Sequence, residues 1–319
     1  MKDFTDYLNE AAGQSLCWWL QQPTPKALTQ LVYLFNKFFE RGHSVTVGFM
    51  NTGRMPPSLE QMWNKYKDEF APDCPPLTPE IVRTASALGE HFETGSETPV
   101  TQDRKNRLYQ ILKPLLNCSR SDWAGYSGVA YRGTVLNQSK IKAMKWAGVK
   151  QIEGVWHLYG DGVYESRYEG QSWTTNVKAA QRFSKESKKY VSQWTNKMQF
   201  PAIVTATLTK SECLFSPKGS SEIVQAVLDP LNPEHEVLRL SNAPKKCTIF
   251  VPLALWLDMM ADIAGGYRED PEWLDNSAMF NGRWTKELKG LFFEYLEQYF
   301  VSHEACEAAW KIVLRNIAI

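Results

Sequence analysis

Two periodicities divide the chain. Up to about residue 120 the apolar positions recur at helical spacing. From about 121 to 252 they shift towards the two-residue alternation of strands. Thr24-Pro25 reads as an N-cap followed by proline at the first helical position. Leu28, Leu31, Val32, Phe35, Phe38 and Phe39 then share one face, and Gly42 stops the helix. Ser58 with Gln61 fits a capping box ahead of Leu59, Met62, Trp63, Tyr66 and Phe70. Thr78-Pro79 opens a third helix through Ile81, Ala85 and Leu88, and a fourth runs from Gln102 to Leu112. Prolines 72, 75 and 76 mark a loop between the second and the third.

In the middle of the chain, Val129 to Gly133 reads as a short strand ending in glycine, and YGDGVYESRYEGQSW as a polar, glycine-bearing loop. Ser172 to Asn176 leads into a helix carrying Ala179, Ala180 and Phe183. Ala202 to Leu208 alternates cleanly, and Thr248 to Val251 reads as a further strand. Beyond it, Leu255–Ile263, a stripe of Leu288, Leu291, Phe292, Tyr295 and Tyr299, and a segment after Ser302 are predicted as helices. The domain reading is a helical region over 11–120, a strand-rich core over 121–252 and a helical appendage over 253–319.

Composition changes this picture little. At 319 residues, 43% apolar and 22% charged, the chain can bury a sizeable core. A net charge of +1 gives no global field that marks a nucleic-acid or membrane binder. The longest apolar run, from Phe250, meets Asp258 too early to span a bilayer. Six scattered cysteines lack the C-x-x-C spacing of a metal site, so the sequence reads as reduced thiols, no metal and no membrane.

The candidate chemistry lies in three stretches: AYRGTV around Arg132, GQSWTTN around Ser172, and PLNPEHEVL with Glu234 and Glu236. A guanidinium offers a planar fork of donors for a pyrophosphate. A carboxylate fixed beside a sugar stabilises the cation that develops when a glycosidic bond breaks. Taken singly, each stretch also fits an ordinary strand end, a capped helix or a solvated acidic pair. Their order, Arg-Gly, then Ser-x-Thr, then Glu-x-Glu, resembles the R-S-E class of mono-ADP-ribosyltransferases over about residues 125–252. The longer run SSEIVQAVLDPLNPEHEVL resembles that family's signature before Glu-x-Glu. The chain departs from the family's Ser-Thr-Ser at Trp173 and Thr174.

The resemblance implies an α+β fold, a split and mostly antiparallel ADP-ribosyltransferase β-core flanked by N-terminal and C-terminal helices. It implies NAD as substrate, with Arg132, Gly133 and Thr174 towards NAD. Glu236 would be the catalytic carboxylate, Glu234 would face the acceptor, and Ser172 would bond Glu236. An aromatic, Tyr131, Tyr164 or Tyr168, would contact nicotinamide, and His235 is given no role. Glu rather than Gln at 234 resembles members that modify arginine, so the expected acceptor is an arginine on a macromolecule, a host protein before a nucleic acid. The first ten residues, ending Leu8-Asn9-Glu10, resemble the cleaved leaders of proteins packaged in T4-like bacteriophage heads. That implies passage from virion to host cytoplasm and similarity to the ADP-ribosyltransferases of those phages. Rival readings are an NAD glycohydrolase, an RNA- or DNA-directed transferase, and a non-catalytic packaged interaction protein.

Overall fold

The computed structural model describes residues 17–40, 57–70, 73–74, 76–93, 102–118, 121–137, 140–141, 144, 146–166, 170–189, 199–227 and 234–252, with 290, 293 and 307 beyond them. The suggested leader, Tyr168 and the expected C-terminal helices lie outside the described residues, apart from those last three positions. What is described is mixed helix and antiparallel sheet, an α+β arrangement. The chain forms two compact units. One comprises Met1–Ala130, Glu165–Asn176 and Thr207–Ala243; the other comprises Tyr131–Tyr164, Val177–Ala206 and Pro244–Ile319. The chain therefore passes back and forth between units instead of completing one before starting the next.

In its described residues the first unit carries the helices α1 (Lys26–Glu40), α2 (Pro57–Phe70), α3 (Pro79–Glu93) and α4 (Gln102–Leu112), then a 3₁₀ turn over Lys113–Asn117. α3 and α4 begin where the sequence signals start, whereas α2 begins at Pro57, ahead of the expected cap Ser58. The Thr78 hydroxyl accepts from the Ile81 N–H at 3.3 Å, capping α3. Later in the chain the same unit gains three short strands and α6 (Pro217–Val227). The strands are β4 (Gln171–Thr174), β6 (Cys213–Leu214) and β7 (Glu236–Arg239). β7 pairs antiparallel with β4 on one side and β6 on the other. One core joins helices and strands: Leu28, Leu31, Ile81, Leu88, Leu112, Phe215, Ile223 and Leu238 are all buried in it. Helices predicted as a separate region thus cover this small sheet.

A disulfide, Cys17–Cys118, ties a helical turn over 17–21 to the end of the 3₁₀ segment. This corrects the expectation of reduced thiols for Cys17 and Cys118. The two cysteines are 101 positions apart, so only folding brings them together, and spacing along the chain could not reveal it. The same approach is held by the Ser121 hydroxyl donating to the Leu20 carbonyl (2.5 Å) and the Trp123 indole donating to Gln22 (2.6 Å). Closing a loop of that length stabilises a fold by about 4.7 kcal/mol in the chain-entropy limit. Among the described residues Cys74, Cys213 and Cys247 are buried thiols outside any disulfide. Burial pushes the thiols of Cys74 and Cys247 up to about 11, which keeps them protonated and inert.

The second unit, in its described residues, is an antiparallel sheet with helix α5 (Val177–Lys189). Its strands are β1 (Gly128–Asn137), β2 (Trp146–Ile152), β3 (Val155–Tyr164), β5 (Gln199–Leu208) and β8 (Lys245–Pro252), in the order β2-β3-β8-β5-β1. Two expectations are corrected here. Gly133 does not end β1 but lies mid-strand, where α5 crosses so closely that a Cβ would collide with the Ala180 carbonyl and the Ser184 N–H. The stretch expected as a loop after Tyr159 continues as β3 to Tyr164, fully paired with β8. Gly162 fits a strand there because the Ile249 side chain occupies the space a Cβ would need. Among the described residues no helix is long and apolar enough to cross a membrane.

Candidate functional site

Four of the six residues singled out from the sequence come together in the first unit, and strand register decides how. In β4–β7, Thr174 lies opposite Glu236, Trp173 opposite Val237, Ser172 opposite Leu238 and Gln171 opposite Arg239. Cross-strand partners share a face. Thr174, Ser172 and Glu236 therefore stand on one side, and Gln171, Trp173 and Arg239 on the other. The buried Trp173 packs on that second side, as the alternation implies.

The Glu234-His235-Glu236 segment is not a regular strand. His235 has φ +48°, a left-handed conformation, and Glu236 is the first residue of β7. Such a backbone costs on the order of 1–3 kcal/mol for a non-glycine residue and must be held. Several bonds hold it. The Thr174 hydroxyl donates to the Glu234 carbonyl at 2.6 Å and accepts from the Asn176 N–H at 2.9 Å. The Thr175 N–H donates to the His235 carbonyl at 3.2 Å. From α6, the buried Ser220 hydroxyl donates to the Glu236 carbonyl, and Ser221 meets His235 Nδ1 at 3.3 Å. Thr174 thus fixes the backbone that bears both carboxylates, and the SSEIVQAV run supplies the other half of the clamp.

The Glu236 side chain points into the helical layer and is 7% exposed. Its Oε1 lies 2.9 Å from Nε2 of His91, on α3. The Tyr109 hydroxyl of α4 meets the other nitrogen of that ring, Nδ1, at 3.4 Å. Tyr109 in turn sits against Gly170, where any side chain would overlap its ring. Sequence reasoning missed His91 and Tyr109. They precede Glu236 by 145 and 127 positions in regions that read as packing helices, and neither belongs to a motif. The available signal was weak: His91 is one of only five histidines and occurs in the last turn of an otherwise apolar stripe.

Ser172, expected to bond Glu236, is exposed and has Leu238 as its cross-strand partner. Glu234 is half-buried at the lip of the turn. Arg132 and Gly133 belong to the second unit, on β1. The Arg132 Nε donates to the Tyr164 hydroxyl at 2.8 Å, and its guanidinium lies 5.9 Å from that ring's centre. Tyr164, one of the candidate aromatics, is thus in contact with Arg132. Tyr131 packs instead in the small core around Ala180, Ile203 and Phe250. The surroundings of Gly133 are the backbone of α5.

Among the described residues no group of three His, Cys, Asp or Glu is arranged to hold a metal. Comparison with known proteins adds no parallel: no family model, curated protein or solved structure matches the chain.

Proposed function

We propose that the protein is a mono-ADP-ribosyltransferase that moves ADP-ribose from NAD to an arginine of a host protein. One observation carries the reading: a carboxylate, Glu236, stands at the head of a short strand, locked in backbone and side chain, with the hydroxyl-bearing strand of Ser172 and Thr174 beside it. Cleavage of the nicotinamide–ribose bond builds positive charge on the sugar. A carboxylate already held in place stabilises that charge more than it stabilises the neutral ribose. Glu236 is assigned this task. Glu234, at the lip of the same turn, is assigned to the incoming acceptor, which it would orient or deprotonate. Arg132, with its fork of donors, is assigned to the NAD pyrophosphate. The chemistry asks for no metal. The suggested virion leader and passage into a host belong to the same proposal.

The test is incubation of the purified protein with adenylate-labelled NAD and bacterial lysate. The expected result is nicotinamide release with label on protein, sensitive to protease and not to nuclease. Glu236→Gln is expected to abolish labelling while leaving the far-ultraviolet dichroism unchanged. Release without labelling would make the protein a glycohydrolase, and nuclease-sensitive label would move the acceptor to nucleic acid. Without any nicotinamide release, the enzyme reading falls.

A further inference from the structure

We propose that His91 is the positioning residue for the Glu236 carboxylate, with the Tyr109 hydroxyl orienting the imidazole; this rests on the transferase reading above. A glutamate reaches its substrate through three rotatable bonds, and its benefit depends on the direction in which the carboxylate points. The backbone clamp from Thr174 and Ser220 fixes where the side chain begins, not where it ends. His91 acts at that far end. An ionised carboxylate can only accept hydrogen bonds, so the 2.9 Å contact requires Nε2 to carry the hydrogen. Nδ1 faces the Tyr109 hydroxyl, which fixes the rotation of the ring. His91 stands on a firm platform, since Val82, Ala85, Leu88 and Phe92 of the same helix are buried.

The choice of imidazole has a chemical reason. Its N–H directs the carboxylate without needing a full positive charge. A lysine or arginine at the same place would offset the negative charge that the developing sugar cation has to meet. The helical layer, by this account, is part of the catalytic apparatus and not only its cover.

The test compares wild type with His91→Ala, His91→Phe and His91→Gln in steady-state nicotinamide release. His91→Phe keeps a ring of similar size and removes the donor, which separates lost packing from the lost N–H. Glutamine presents an amide N–H near the place of Nε2. His91→Ala and His91→Phe are expected to lower kcat about 10- to 100-fold by letting the carboxylate wander, with KM for NAD little changed. His91→Gln is expected to recover most of that loss. In protein labelled with ¹⁵N-histidine, Glu236→Gln is expected to shift the ring resonances of His91 alone among the buried histidines. An active wild type with unchanged kcat in His91→Phe, or a His91→Gln as slow as His91→Phe, overturns this assignment and leaves the transferase reading standing. A wild type that releases no nicotinamide overturns both.

Discussion

The ribbon formed by β4 and β7 has two faces, and on each a carboxylate meets a nitrogen of another side chain. On one, Arg239 is 1% exposed and donates to three partners: Glu212 at 2.8 Å, Gln171 at 3.2 Å and the Ala243 carbonyl at 2.7 Å. Gln171 also accepts from the Trp173 indole at 3.3 Å and donates to the Ser241 carbonyl at 3.1 Å. On the other, Glu236 meets His91, and His91 meets Tyr109. The first network ties a guanidinium to neighbouring loops in all directions, as a structural charge must be tied when water is removed. The second runs from the Tyr109 hydroxyl through the His91 ring to a carboxylate oxygen. Burial of charge therefore does not by itself mark a reactive group. Under the proposed function the first network braces the ribbon, and the second holds the carboxylate that meets the substrate.

The comparison can be broken most severely at Arg239. Arg239→Ala takes the buried guanidinium from Glu212, Gln171 and the Ala243 carbonyl at once and is expected to cost about 3–5 kcal/mol, read as a lower denaturant midpoint. Glu236→Gln is expected to leave that midpoint near wild type while removing transferase activity; if instead Glu236→Gln is the more destabilising of the two, the contrast between faces is wrong. Gly133→Ala extends the question to the second unit. Because α5 leaves no room for a Cβ, the substitution is expected to destabilise by about 1–3 kcal/mol. An unchanged melting temperature with weakened NAD binding would instead give that glycine a ligand to meet.

Smaller effects sharpen the picture. Thr174→Val removes the hydroxyl bonded to Glu234 and Asn176 but keeps the shape, with an expected loss of about 1–3 kcal/mol. Serine at the same place should restore most of it in the same unfolding measurement. The smallest effect expected is acid sensitivity at His157, buried on β3, whose Nδ1 lies 2.8 Å from the Val155 carbonyl. Burial, the largest influence, lowers its pKa below the ordinary 6.5. The unfolded chain then binds the proton more readily than the folded one. The associated stability is complete above 6.5 and is lost as pH falls through the depressed folded value. His157→Gln should flatten that part of a stability–pH profile.

Much of the fold was legible where a local signal has a local cause. Thr78-Pro79 predicts the start of α3, and the run from Gln102 to Leu112 predicts α4 with the bounds observed. Reading fails where a residue answers to a distant partner. Gly133 looks like a strand end until α5 is laid across it, and Gly160 and Gly162 look like loop until β8 pairs with them. Cys17 and Cys118 look unrelated until the fold closes. At the candidate site, the grouping of Ser172, Thr174, Glu234 and Glu236 follows from strand alternation once β4 and β7 are paired. His91 was invisible because a helical stripe specifies which side faces inward, not which inward residue meets a carboxylate.

The chain's repeated passage between its two units bears on how it can be made and cut. The apolar faces of α1 and α3 leave the ribosome early, yet Ile223, Leu238 and Leu240, which complete their core, follow more than a hundred residues later. Until then a nascent chain carries sticky, half-covered helices, an invitation to chaperones during synthesis. Nor does any single cut yield an intact half, since a fragment ending at residue 130 lacks β4, β6, α6 and β7. Dissection of this protein calls for circular permutation or point substitution rather than truncation.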